Sequence, residues 1–324
     1  MKNPFVTNGY VSPEYFCDRE KETAKIVSLL TNENNIALIS PRRLGKTDLL
    51  RHCFGQPEIK EHYHTFIIDI YATSSVRDFV NVFGKAVLDE LRPKGKSVWS
   101  TFLNVLASLR SEITFDMNGQ PTWGIGLGAI TNPSATLDEI FSYLNNAGKP
   151  CLIAIDEFQQ ITKYADDPNI EAALRTHIQR CSNAHFVFSG SHRHLMGAMF
   201  TSPTRPFYQS VTLINLPPIS VDKYAEFCLK HFERASKLLD TLVVTELYER
   251  FNGITSYMQK VMNILFSMTG TGEICIPSMI DTAINDLLDF SADTYDALLY
   301  QMPEKQRIVF MAIAAEGKAK AISR

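Results

Sequence analysis

The chain of 324 residues is 45% hydrophobic and 21% charged with a formal net charge of -3, so its length suggests about two domains of ordinary globular composition. That charge excludes a global basic field of the kind that gathers nucleic acid, leaving only a local patch open, and no run approaches the ~20 apolar residues that span a bilayer. The opening Met-Lys-Asn-Pro-Phe-Val has no apolar signal core, and Cys17, Cys53, Cys151, Cys181, Cys228 and Cys275 are scattered without a Cys-x-x-Cys pair, so the expectation is a cytoplasmic protein with buried thiols.

The first strong element is an apolar strand, Ile36-Ala-Leu-Ile39, which runs through Ser40, Pro41, Arg42, Arg43, Leu44 and Gly45 into Lys46, Thr47 and Asp48 at the start of a helix. A strand-to-helix loop ending in Gly-Lys-Thr reads as a phosphate cradle. Backbone N–H groups wrap the α/β-phosphates, the lysine reaches the β/γ oxygens, and the hydroxyl sits on Mg²⁺ at a helix N-terminus whose dipole favours negative charge. Lys46 and Thr47 fill those roles. The usual pattern opens on glycine, which makes the turn out of the strand most easily; here Ser40 holds that position.

A second strand is expected over residues 64–70, followed by an amphipathic helix over 75–91 with Phe79, Val82, Phe83, Ala86, Val87 and Leu91 at helical spacing. Alternating strand and helix implies a parallel sheet. The pattern then changes: Ile113, Phe115 and Met117 alternate with polar residues, Asn118-Gly119 supplies a tight turn, and Trp123, Ile125 and Leu127 alternate again. This is a hairpin signature, and an inserted β-hairpin is expected near 111–127.

Helix resumes over 137–147. Cys151-Leu-Ile-Ala-Ile155 is an uninterrupted apolar run of the kind buried on both faces of a parallel sheet, and it stops at Asp156-Glu157. Carboxylates at that end of a central strand lie where ligands bind in open α/β sheets. Asp156 is read as the Mg²⁺ ligand and Glu157 as the base that polarises the attacking water. A helix over 169–181, a strand over 185–189 ending at Gly190-Ser191, a short helix and a strand over 211–216 complete this region, and Pro217-Pro218 ends it. From 220 to about 299 only helical periodicity remains, as in Tyr224, Phe227 and Cys228 or Tyr257, Val261 and Leu265, which implies a small all-helical domain. Pro303 opens one more helix with Ile308, Val309, Met311, Ala312 and Ala315 on one face, ended by Gly317.

With these elements placed, the whole chain resembles the archaeal-type P-loop ATPase domain family, in the AAA+/STAND region of the P-loop superfamily. The matching pieces are Tyr15-Phe16-Cys17-Asp18-Arg19-Glu20, the loop from Ser40 to Thr47, Ile155-Asp-Glu-Phe-Gln159, Phe188-Ser-Gly-Ser-His-Arg193 and Ser202-Pro-Thr-Arg-Pro-Phe-Tyr208. The resemblance implies an α/β P-loop NTPase fold of AAA+/ASCE type over 1–218 with the inserted hairpin, an α-helical lid over 219–300 and the start of a winged helix over 301–324. It implies that Ser189 and Ser191 match the phosphate-sensing position, that Phe16 and Arg19 pack near the adenine, and that Asn252-Gly-Ile-Thr-Ser-Tyr257 replaces a Gly-x-Pro turn of the lid. Arginine candidates for the γ-phosphate are Arg42, Arg43, Arg193 and Arg205, with Arg175 and Arg180 acting across a subunit interface.

The function implied is Mg²⁺-dependent hydrolysis of ATP to ADP and phosphate, with slow turnover, used as a conformational switch. The resemblance also implies a DNA or protein partner through the C-terminal module, and an oligomer that depends on nucleotide, with no membrane partner. Two other readings stay open: a nucleotide-dependent scaffold or DNA-binding regulator with negligible hydrolysis, for which Ser40 and the absent lid proline speak, and a small-molecule phosphotransferase sharing the P-loop.

Overall fold

Thr23, Ile26, Val27 and Leu30 are spaced at i, i+3, i+4 and i+7, and this stripe is what buries α1 (Glu20–Thr31). β1 (Ile36–Ile39) follows, buried along its whole length. α2 (Lys46–Phe54) and α3 (Pro57–Lys60) lead to β2 (His64–Asp69) and to α4 (Val76–Glu90), where the Ser75 hydroxyl accepts from the Asp78 N–H as N-cap. The computed structural model describes residues 2–91, 114–115, 121–122 and 133–316. Of the expected hairpin, β3 (Thr114–Phe115) and β4 (Pro121–Thr122) are described and pair antiparallel; the Asn118-Gly119 turn and Trp123, Ile125 and Leu127 lie outside the described residues.

α5 (Pro133–Asn145) precedes β5 (Cys151–Asp156), α6 (Ile170–Arg180), β6 (Ala184–Gly190), α7 (Arg193–Thr201) and β7 (Thr212–Asn215). Five strands form one parallel sheet in the order β2-β5-β6-β1-β7. β6 therefore separates the strand that feeds the Gly-Lys-Thr loop from the strand that ends in the two acids. Because successive side chains on a strand face opposite ways, Cys151, Ile153 and Ile155 of β5 join Phe79, Phe83, Phe141, Phe186 and Phe188 on one face. Leu152 and Ala154 join Ile26, Leu49, Leu50 and Val187 on the other. Full burial of each of the Leu, Ile, Val and Phe side chains contributes about 1.5–3 kcal/mol, so the sheet is clamped from both sides.

The chain divides into two compact units. One comprises Asn8–Ile219 with Ile254–Ser256; the other comprises Met1–Thr7, Ser220–Gly253 and Tyr257–Arg324. The second carries α8 (Val221–Arg234), α9 (Thr241–Phe251), most of α10 (Thr255–Met268), α11 (Ile280–Gln301) and α12 (Glu304–Glu316). It is not all-helical: β8 (Leu238–Leu239) and β9 (Ile274–Cys275) form a short parallel pair, too brief for any periodicity to announce. Pro303 lies one residue ahead of α12, and its carbonyl accepts from the Arg307 N–H. The residues expected to make an apolar face on α12, Ile308, Val309 and Met311 among them, are exposed. In this unit Phe5 is fully buried among Phe227, Phe232 and Phe266, and the Asn3 and Asn263 side-chain amides donate to the carbonyls of Asn263 and Phe5.

All six cysteines are free and buried. Burial pushes the Cys53 and Cys151 thiols up to about 12, which makes them unreactive small hydrophobes. Among the described residues no helix is long and apolar enough to cross a membrane, and no cluster of His, Cys, Asp and Glu is arranged to hold a metal ion.

Candidate active site

The site grows from the edge of the sheet where β1, β5 and β6 end. Ser40 leaves β1 fully buried, its N–H 3.4 Å from the Gly190 carbonyl at the end of β6 and its hydroxyl donating to the Pro41 carbonyl at 3.0 Å. The loop is exposed at Pro41, Arg42 and Arg43 and anchored by the buried Leu44. It turns through two left-handed positions, Arg43 (φ 69°) and Gly45 (φ 81°). Glycine adopts that conformation freely, whereas arginine is strained there by about 1–2 kcal/mol. The Ser256 N–H donates to the Arg43 carbonyl at 3.2 Å within the same unit, which fixes the strained residue.

Gly45 hands over to Lys46, and the first turn of α2 presents unsatisfied N–H groups and the positive end of a helix dipole to the loop. The Lys46 ammonium donates to the carbonyls of Ser40 (3.2 Å) and Pro41 (3.4 Å). Burial pulls its pKa below the usual lysine range, while Asp156 and then Glu157 act to keep it charged. Asp48, also in this first turn, has its pKa raised by burial against the opposing pull of Arg51 and the Tyr10 N–H.

The two acids end β5 and diverge. The Thr47 hydroxyl donates to Asp156 Oδ2 at 2.5 Å, so the two hard oxygens stand together on facing elements. Mg²⁺ is held by one or two carboxylates with substrate phosphates and water rather than by a full protein cage, and the Thr47–Asp156 pair fits that requirement. Glu157 has left-handed backbone (φ 55°), which turns its side chain out of the strand line. Its Oε2 accepts from the Gln159 amide at 2.5 Å and from the Ser191 hydroxyl at 2.8 Å. Ser191 also accepts from Arg42 Nε at 3.4 Å, and the Arg42 guanidinium lies 5.4 Å from the Tyr71 ring centroid. Ser189 on β6 is fully buried, with a hydroxyl that finds no partner among the described residues. An orphaned buried hydroxyl between the cradle strand and the acid strand is a group awaiting a ligand or water.

Lys46, Thr47, Asp156, Glu157, Ser189 and Ser191 are thus brought together at one sheet edge. Phe16 is stacked on His52 of α2 at 4.4 Å between centroids, with the Tyr10 hydroxyl bonded to the same imidazole at 3.0 Å. Arg19 is buried, its guanidinium donating to Glu22 (2.7 Å) and to the Pro217 carbonyl (2.7 Å), so it fastens the segment before α1 to the end of the unit. Arg205 is held by Glu171 of α6, and burial raises the Glu171 pKa more than Arg205 lowers it. Arg193 opens α7 and is exposed. The hold that Gln159 has on Glu157 and the place of Tyr71 beneath Arg42 leave no signal in the linear pattern. Gln159 was in view, two positions past Glu157, but nothing in a linear pattern aims its amide backward.

A family model described as an ATPase domain predominantly from Archaea matches residues 16–261. Among solved structures, the chain is similar to a Walker-type ATPase of Pyrococcus abyssi, at 17% identity and a TM-score of 0.60, over 92% of this chain and 79% of that one. It is similar to the Aeropyrum pernix ORC1 protein in complex with DNA, at 12% identity and a TM-score of 0.61, over 97% and 76%. It is also similar to the Aeropyrum pernix ORC2 protein in its ADPNP-ADP complexes, at 14% identity and a TM-score of 0.58, over 88% and 71%. At such identities these structures establish the P-loop NTPase fold. No curated protein matches the chain.

Proposed function

This chain belongs to the family of ATPase domains found predominantly in Archaea, and from that premise we propose that it binds ATP with Mg²⁺, hydrolyses it slowly to ADP and phosphate, and uses the nucleotide state as a conformational switch. The observation that carries the reading is the meeting of Thr47 and Asp156 at 2.5 Å beside Lys46 and Glu157. Loop N–H groups and Lys46 hold the phosphates, and Thr47 with Asp156 would hold the metal, which supplies charge neutralisation at the β/γ oxygens. A water in line with the γ-phosphorus loses its proton to Glu157 as the new P–O bond forms and the bond to the ADP oxygen breaks. Ser189 and Ser191 stand for the residues that sense the γ-phosphate. Arg193 and Arg205 are the arginines proposed to neutralise it, and Arg205 would first have to leave Glu171. Phe16 and Arg19 belong to the segment proposed to lie near the adenine.

Two substitutions test this. Lys46→Ala is expected to abolish the heat of ATP–Mg²⁺ binding in isothermal titration. Glu157→Gln is expected to keep that heat and lower phosphate release by about 10²–10⁴-fold, the usual contribution of a positioned base. Wild-type turnover in Glu157→Gln would remove Glu157 from the role.

A scaffold or DNA-binding regulator with negligible hydrolysis is the second reading, favoured by Ser40 at the first glycine position. The ORC1 relative is described in complex with DNA, so DNA is the partner class proposed here. Fluorescence anisotropy with duplex DNA, alongside phosphate release and light scattering with and without ATP, separates a regulator from an ATP-driven switch and tests nucleotide-dependent assembly.

A further inference from the structure

The Glu157 carboxylate ends a flexible side chain, and a base acts well only when it is held in a productive position. Two donors converge on it. Gln159 Nε2 reaches Oε2 at 2.5 Å and the Ser191 hydroxyl reaches the same oxygen at 2.8 Å. Because both meet Oε2, Oε1 remains to take a proton.

Gln159 is placed for this by its surroundings. It lies in the short 3-10 turn Phe158–Lys163 that follows the acids, is buried, and has its carbonyl accepting from the Thr162 hydroxyl at 2.8 Å. The turn closes through the Gln160 N–H to the Glu157 carbonyl at 2.8 Å, which brings residue 159 back over residue 157. The amide carbonyl packs against Gly190: a Cβ there would lie 2.3 Å from Gln159 Oε1. The amide orientation follows from chemistry, since only the NH₂ group can face a carboxylate as donor. Its oxygen has no donor among the described residues, so the NH₂ group is the end of the amide that the protein engages.

We infer that Gln159 is a positioning residue for the water-activating carboxylate: its amide, seated in the space left by Gly190, fixes Glu157 Oε2 jointly with Ser191 and presents Oε1 to the attacking water. This rests on the proposed hydrolysis and deepens it. The test uses the full chain and ATP–Mg²⁺. Gln159→Met keeps length and volume but removes the donor. Expected are a fall of about ten- to hundred-fold in kcat with the ATP Kd changed by less than about two-fold, and no further fall when Gln159→Met is added to Glu157→Gln in single-turnover assays. Wild-type kcat in Gln159→Met, or an equal loss in both backgrounds, overturns the assignment. So does a weakening of ATP binding in parallel with kcat, which marks a merely structural role. If Gln159→Met does not fold, Gln159→Leu removes the same donor with a shorter side chain and must give the same split between kcat and Kd, or the assignment falls. A wild-type chain that releases no phosphate would instead sink the hydrolysis reading itself, and this inference with it.

Discussion

Gly190 ends β6 where three requirements meet: its carbonyl accepts from the Ser40 N–H, Gln159 packs across it, and Met196 presses from α7. A methyl group there would sit 2.3 Å from Gln159 Oε1 and 2.6 Å from both Cγ and Sδ of Met196. Both neighbours are side chains that can shift, so Gly190→Ala is expected to cost about 1–3 kcal/mol in urea unfolding rather than to prevent folding. Stability equal to wild type would show that the packing there is looser than these distances require. At this scale the residues of the candidate site were legible in part. Lys46, Thr47, Asp156 and Glu157 could be named because their chemistry is tied to local context, a turn before a helix and the end of an apolar strand. The partners of Glu157 were not, because the Ser191 bond joins two strand ends 34 positions apart and the Gln159 bond depends on a left-handed residue that is not glycine.

The elements divide in the same way. β1, β2, β5, β6 and β7 were readable as apolar runs bounded by turn residues, and α4 as a helix of period 3.6, since burial on known faces writes itself into the residue pattern. Their spatial order was not, because nothing in β6 itself says that it slots between β1 and β5. α1 has no counterpart among the sequence expectations despite its stripe of Thr23, Ile26, Val27 and Leu30. β8 and β9 have two residues each, below any periodicity. Nor did the sequence reveal that the first residues belong to the helical unit. There Phe5 is fully buried, its ring centroid 5.7 Å from that of Phe266 and 6.0 Å from that of Phe227. Phe5→Ala is expected to destabilise that unit by about 3–5 kcal/mol, the usual loss for a buried aromatic, visible as an early transition in thermal circular dichroism. A single transition at the wild-type temperature would mean the ring contributes little.

For the molecule as a whole, pH is the simplest global probe. His52, His177 and His185 all have pKa values lowered below 6.5 chiefly by burial, opposed by Glu20, Asp138 and Glu33 respectively. A depressed histidine favours the neutral form in the folded state, so between its folded pKa and 6.5 the unfolded chain binds more protons. That share of stability is present above 6.5 and is lost as pH falls through the folded values. Asp48 and Glu171, raised above 3.8 and 4.5 by burial, act oppositely, weakening the fold as pH rises through their own lower range. The melting temperature is therefore expected to fall as pH drops below 6.5, with the three imidazole resonances titrating below that value in NMR. A ring that titrates above it would contradict the burial argument.

Phe5 reaches its unit from the opposite end of the chain. A fragment excised from Ser220 onward would lack an aromatic plug that the chain supplies from more than two hundred positions upstream, together with the amide clasp between Asn3 and Asn263. Such a fragment would be a receptor missing its own ligand. A synthetic peptide of residues 2–7 would be expected to dock into it in trans and raise its helicity, as a split protein is restored by its lost piece.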